Sequence, residues 1–186
     1  MRLEPRGGTL QTAGLEELEA GLRDALREFA AHLDSEPWVG KEHDCVNRFA
    51  HGYLIPRCQA GSLLHHPTQI GIEVGVAQPP GIGIKAAARK DLVIWPRPWM
   101  SCYDNTWRPV HYPTVVMEWK TLREGFRFSG TAHDHAWLTA FTRSRPETLG
   151  LSIVVSVAPS PTCRLTATRF IRGEATPKWL VAMAAA

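Results

Sequence analysis

The stretch TVVMEWK, Thr114 to Lys120, opens as a buried strand and closes on a carboxylate, an indole and an amine. Side chains alternate faces along a strand, so Glu118 and Lys120 point one way while Met117 and Trp119 point the other. An acid and an amine sharing a face at the end of an apolar run form either a rim ion pair or part of a reactive site. What the rest of the chain brings to that face decides between them.

Upstream, ARKDLVIWP reads as a strand in which the apolar run Leu92 to Trp95 follows Asp91. Before it, TQIGIEVGVAQ alternates Ile70, Ile72, Val74 and Val76 against Gly71, Glu73, Gly75 and Ala77, a third strand, and PPGIG supplies the turn between the two. The connection RPWMSCYDNTWRPVHYP is rich in Pro and Trp. A hairpin turning between Asp104 and Asn105 would set Asp91 opposite Glu118, with Pro96, Pro98, Pro109 and Pro113 interrupting the pairing.

Residues 1–13 read as a flexible arm, followed by one amphipathic helix with Leu15, Leu18, Leu22, Leu26, Phe29 and Leu33 at helical spacing. DSEP ends it; Asp34 or Ser35 can cap a second helix from Trp38 to Tyr53, with Pro37 in its first turn. That helix turns Val46, Phe49 and Tyr53 inward and carries Glu42 on the same stripe. Downstream, TAHDHAWLTAFTRSR is a helix, LGLSIVVSV and TCRLTATRFIRG are strands, and PKWLVAMAAA a short helix. The order α-α-β-β-β-α-β-β, with a mixed sheet, predicts one α/β domain over residues 14–186.

The 186 residues are 44% hydrophobic and 21% charged, the balance of a globular protein. No run approaches the roughly 18–20 apolar residues of a membrane helix, and the N-terminus has no apolar core of a secretory signal. Cys45, Cys58, Cys102 and Cys163 include no C-x-x-C pair, so reduced thiols in a cytoplasmic protein are expected. The formal charge of +3 is mildly basic. Between Lys85 and Met117, however, Lys85, Arg89, Lys90, Arg97 and Arg108 stand against only Asp91 and Asp104, which reads either as a surface for an anionic partner or as a solvated face of an arginine-rich chain.

Asp91, Glu118 and Lys120, with Glu42 on a helix stripe, are polar residues where apolar ones are expected. Clustered carboxylates repel one another and are costly to desolvate, so a cation normally accompanies them. Hard oxygen donors suit Mg²⁺ or Mn²⁺. An amine on the same face can position a water and stabilise charge developing on a phosphate oxygen.

In these residues the chain resembles the PD-(D/E)xK nuclease superfamily, the restriction-endonuclease-like fold. The matching residues are Asp91 in KDLVIWP, the triplet Glu118-Trp119-Lys120 in VVMEWK, and Glu42 in GKEHDCVNRFAH, over residues 36–157. The resemblance implies an α-β-β-β-α-β core, here with an extra N-terminal helix. It further implies that Asp91 and Glu118 are metal ligands, that Lys120 is catalytic, and that Glu42 supports the metal or the water. Lys90 stands where the family's proline would be, and Asp134 lies on the helix that follows the lysine. The activity implied is Mg²⁺-dependent hydrolysis of phosphodiester bonds, in DNA more than RNA. The alternative is a catalytically inactive subunit of the same fold that binds nucleic acid or assembles with other proteins; a homodimer is open to either.

Glu73, between two glycines that leave room beside it, is a reserve acid for the metal. Lys90, Arg97, Trp99, Trp107 and Arg108 are candidate nucleic-acid contacts beside the cleavage centre, although tryptophans more often serve as packing anchors. The pairs His65/His66 and His133/His135 lack zinc-ligand spacing on a helix and read as surface or capping residues. The Gly81-Ile82-Gly83 run lacks a following helix, so a dinucleotide fold is not expected.

Overall fold

A computed structural model describes residues 8–36, 40–79, 81, 85–123, 130–157 and 163–183. Its elements are α1 (Gly8–Ser35), α2 (Glu42–Phe49), β1 (Ile70–Ala77), β2 (Ala87–Ile94), β3 (Val115–Leu122), α3 (Ala132–Ser144), β4 (Leu149–Ser156), β5 (Cys163–Ile171) and β6 (Glu174–Met183). The six strands form one mixed sheet in the order β1-β2-β3-β4-β5-β6. All neighbours are antiparallel except β3 and β4, which are parallel and joined through α3. A parallel pair needs such a crossover, and α3 supplies it. Among the described residues no helix is long and apolar enough to cross a membrane.

Helices α1 and α2 cover one face of the sheet. The predicted stripe of α1 is buried at Leu18, Leu22, Leu26, Phe29 and Leu33, against Phe49, Trp119, Leu151 and Leu165. Two polar ties fasten α1 to the far strands. Arg164 donates through Nε to Asp34 at 2.6 Å, and Arg169 and Trp179 donate to Glu19 at 2.9 and 2.8 Å. On the opposite face, α3 packs Trp137, Leu138 and Phe141 on Val93, Val116 and Phe170. Helix α3 lies so close to β4 that a Cβ at Gly150 would meet Leu138 and Phe170 at 3.1 Å.

Several expectations are corrected. Helix α1 begins at Gly8, inside the expected arm; residues 1–7 lie outside the described residues. Helix α2 begins at Glu42, where the Lys41 N–H donates to Asp44 Oδ2 at 2.8 Å. Asp34 and Ser35 belong to the last turn of α1, so neither caps α2, and the expected first turn at Pro37 and Trp38 lies outside the described residues. After Phe49 the helix continues as a π turn (Ala50–Leu54) and a 3₁₀ turn (Ile55–Arg57), keeping Tyr53 packed on the core.

The C-terminal stretch is strand β6, not a helix. Alanine favours helix, but Arg172 (φ 54°) and Gly173 (φ 80°) form a two-residue turn that lays the chain back on β5. Pro177 is tolerated because β6 is an edge strand.

Strand β1 does not keep its four aliphatic residues on one face. Ile70 and Ile72 pack on the α1/α2 side, while Val74 and Val76 pack on the α3 side. The change falls at Glu73, held at φ 54°, a left-handed conformation that turns the strand over. The β1/β2 register is the same on both sides of it, but the ladder skips the pair Glu73/Asp91. Strand β2 therefore turns over with its neighbour: Leu92 faces α1/α2, whereas Lys90 faces Trp137 of α3.

Candidate active site

Strand β3 delivers the site. Val115, Met117 and Trp119 are buried against α1 and α2, and Trp119 packs edge-on to Phe29 and tilted against Phe49, at centroid distances of 6.0 and 5.1 Å. Period-two alternation then turns Glu118 and Lys120 to the other side, as expected from the sequence. The β2/β3 ladder pairs Leu92 with Met117, Val93 with Val116 and Ile94 with Val115. The ladder has the expected register but ends at Leu92, one step short of the expected Asp91/Glu118 pair. Asp91 is fixed by the Trp119 N–H, which donates to its Oδ2 at 2.7 Å.

Lys120 Nζ lies 3.4 Å from Glu42 Oε1, 3.3 Å from Asp134 Oδ2 and 2.7 Å from its own neighbour's carbonyl, Trp119 O. It thus links the start of α2, the start of α3 and the end of β3. Glu118 is buried and ion-paired to Lys90. Asp134 was legible only as a polar position on the helix after the lysine; its spacing of three from Trp137 puts both on the sheet-facing side of α3. The partnership of Lys90 with Glu118 had no sequence signal, because it depends on the turnover of β2.

Burial pushes the Glu118 carboxyl up to about 7, with Lys90 pulling it down and Asp91 and Asp134 pushing it further up. Burial likewise raises Glu42, opposed by Lys120 and reinforced by Asp91 and Asp134. For Lys120, burial is the largest single influence and disfavours the ammonium, yet Glu42, Asp134 and Asp91 together outweigh it and its pKa is raised. Asp91 and Asp134 act on Glu42, Glu118 and Lys120 alike and Lys90 acts on Glu118, so Glu42, Asp91, Glu118, Asp134, Lys90 and Lys120 form one electrostatic cluster. Four carboxylates against two ammonium groups leave it a formal excess of two negative charges. That deficit and the hard oxygen donors fit a divalent cation such as Mg²⁺ or Mn²⁺. As the side chains stand, the lysines hold the acids: among the described residues no three His, Cys, Asp or Glu side chains are placed to grip one ion together.

The remaining candidates are located as follows. Glu73 points outward to Arg89 at 3.5 Å and is not part of the cluster. Its flanking glycines do not make room for it. A Cβ at Gly71 would strike Val74, Val93 and Trp95, and one at Gly75 would meet Tyr103 and Cys102. Lys90 is only 5% exposed, so it is no nucleic-acid contact. Arg97 and Arg108 are exposed, and Trp99 and Trp107 are each 82% exposed. The packing reading holds for Trp95, at 2%, and fails for these two. The loop carrying them leaves the sheet at Ile94 and Val115, about five residues or roughly 17 Å of strand from Lys120. From there it folds back over β1 on the α3 side, anchored by buried Trp95 and Cys102, with Cys102 and Tyr103 close to Gly75.

Inside that loop, Asp104 accepts hydrogen bonds from Thr106 N, Thr106 Oγ1 and Arg108 N at 2.7–3.0 Å, and from the Arg108 guanidinium at 3.1–3.2 Å. These bonds, Thr106's foremost, hold its carboxyl well below the ordinary carboxylate range. His65 meets Ser62 O and His66 caps the turn at Thr68, both as exposed residues. His133 is exposed, while His135 sits 3.1 Å from Ser152 Oγ. All four cysteines are free, and burial pushes the Cys45 thiol up to about 12.

Comparison with family models, with curated proteins and with solved structures gives no match, so the chain's own residues carry the functional reading.

Proposed function

We propose that the chain is a Mg²⁺- or Mn²⁺-dependent nuclease of the PD-(D/E)xK type, hydrolysing phosphodiester bonds, in DNA by preference. The observation that carries this reading is the gathering of Glu42, Asp91 and Asp134 around Lys120 beside the Glu118–Lys90 pair, four carboxylates against two ammonium groups and so two positive charges short of neutrality. The topology supports it: α2, the β1-β2-β3 meander, α3, and β4 parallel to β3 reproduce the α-β-β-β-α-β order.

In this reading Asp91 and Glu118 hold the ion, and Glu42 holds it or its water. The ion, when bound, supplies Lewis-acid stabilisation of the phosphate and lowers the pKa of water. Lys120, poised by Glu42 and Asp134, orients the attacking water and offsets charge on a non-bridging phosphate oxygen. Asp91 is kept in line by the Trp119 amide, so backbone rather than a mobile side chain sets its position. The exposed Trp99, Trp107, Arg97 and Arg108 would contact the nucleic acid, the indoles by stacking on bases and the arginines at phosphates. Free thiols suit the reducing interior of a cell.

The test is cleavage of plasmid and single-stranded DNA with and without Mg²⁺ or Mn²⁺, using Asp91→Ala and Lys120→Ala as controls. Metal-dependent cleavage lost in both variants supports the assignment; cleavage that survives both overturns it. One observation favours the second reading, a non-catalytic nucleic-acid-binding or assembly subunit: the Glu118 carboxylate is already neutralised by Lys90. That reading expects salt-sensitive DNA binding without turnover.

A further inference from the structure

Lys90 is the least expected residue of the cluster. Its side chain is 5% exposed and that of its partner Glu118 6%. Its ammonium also lies 3.7 Å from the centre of the Trp137 ring. A cation over an indole face, away from water, is held by the ring's quadrupole as well as by its counter-ion. The ring is itself fixed on two sides: its Nε1–H donates to Gln78 Oε1 at 2.9 Å, and it stacks on Phe141 at 4.6 Å.

The seat is built by the backbone as well. Without the left-handed residue at Glu73 and the matching turnover at Asp91, Lys90 would share the face of Leu92 in the apolar layer beneath α1. An ammonium there would have no partner. The fold instead delivers it to the carboxylate of the strand that carries Lys120.

We propose that Lys90 is a built-in cation of this site: it neutralises Glu118 when no divalent ion is present and competes with that ion for the same carboxylate. The inference rests on the metal-binding role of Glu118 argued above. Ion binding then requires the Lys90 ammonium to leave Glu118, and the apparent affinity is lower than the acids alone would give. Lys90 is a positioning residue, acting through Glu118 rather than on substrate.

The test is calorimetric titration of the full chain with Mn²⁺ alone, comparing wild type, Lys90→Met and Glu118→Gln, with thermal unfolding measured with and without Mn²⁺. Lys90→Met keeps the length of the side chain and removes its charge. It is expected to bind Mn²⁺ at least tenfold more tightly than wild type, and to melt lower without the ion but gain more from it. Unchanged or weaker Mn²⁺ binding in a folded Lys90→Met protein overturns the proposal while leaving the metal site intact. Absence of Glu118-dependent Mn²⁺ binding in every variant overturns the metal reading and this one with it. Should Lys90→Met not fold, Trp137→Leu removes the ring from the ammonium and leaves the charge; a severalfold tighter Mn²⁺ affinity is then expected, and no change counts against the proposal.

Discussion

Lys120 and Glu42 lie 78 positions apart in the chain and 3.4 Å apart in space, one on the last apolar-anchored strand of the first meander and the other at the first turn of α2. A helix start and a strand end are thereby joined at one charged point, with Asp134 completing the contact from the opposite layer.

Glu42→Gln keeps the shape of that contact and removes its charge. Cleavage is expected to fall about 10–100-fold, the usual cost of losing a partner that orients a reactive group. Circular dichroism and the melting temperature should stay near wild type, because Glu42 is half-exposed. Steady-state rates at saturating Mn²⁺ check this; an unchanged rate removes Glu42 from the site.

Trp99 and Trp107 are held at φ 60° and 63°, a conformation that costs a non-glycine residue energy and here keeps two indoles in solvent. Single-stranded oligonucleotides are expected to quench their fluorescence. Each Trp→Ala change should weaken binding by about 1–3 kcal/mol per stacked base, with little change in salt dependence. Arg97→Ala should instead flatten the salt dependence.

Asp104 ties together Thr106 and Arg108, the residues on either side of Trp107. Its carboxyl pKa is depressed in the folded state, so its contribution is fully present above the ordinary carboxylate pKa and is lost as pH falls through the folded value. Asp104→Asn should therefore speed proteolysis of this loop at neutral pH. The difference from wild type should shrink progressively as the medium is made strongly acidic, as read by an acid-active protease.

Trp119 fills the space between Phe29 and Phe49, yet among the described residues its Nε1–H has no hydrogen-bond partner. Trp119→Ala is expected to cost about 3–5 kcal/mol in urea unfolding, as for other emptied aromatic sites. Trp119→Phe should cost about 1 kcal/mol or less, because relieving a buried unpaired donor, worth about 1–3 kcal/mol, offsets the smaller void. Equal losses in the two variants would show that the indole N–H is in fact satisfied.

The parts legible in the sequence were those governed by local period. Alternation placed Glu118 and Lys120 on one face, and helical spacing placed Glu42 on the stripe of Val46 and Phe49. The expectation that Asp91 faces Glu118 followed from a hairpin centre assumed between Asp104 and Asn105, and the ladder stops one pair short of it. The real connection is longer there, with a bridge between Tyr103 and Pro109, but the β2/β3 register is the expected one. The turnover at Glu73 was not legible, because one left-handed residue leaves no mark on the apolar pattern. Everything dependent on it was hidden too: Val74 facing α3, and Lys90 buried on Trp137 rather than exposed. Strand β6 was missed because its alanines weigh toward helix, although Arg172-Gly173 between two apolar runs carried the turn signal.

The parallel pairing of β3 with β4 divides the sheet into two antiparallel meanders, β1 to β3 and β4 to β6. Each meander closes through contacts near in sequence, whereas the junction between them waits for the chain to travel out and back through α3. Glu118 and Lys120 ride on one lip of that junction, and Asp134 on the connector that closes it. Order of assembly follows: a molecule arrested with both meanders formed and the junction open holds all four acids without their arrangement. Pulsed hydrogen labelling during refolding should find the β3/β4 amides protected after those within each meander, so that the charged cluster comes into being only once the two halves of the sheet have joined.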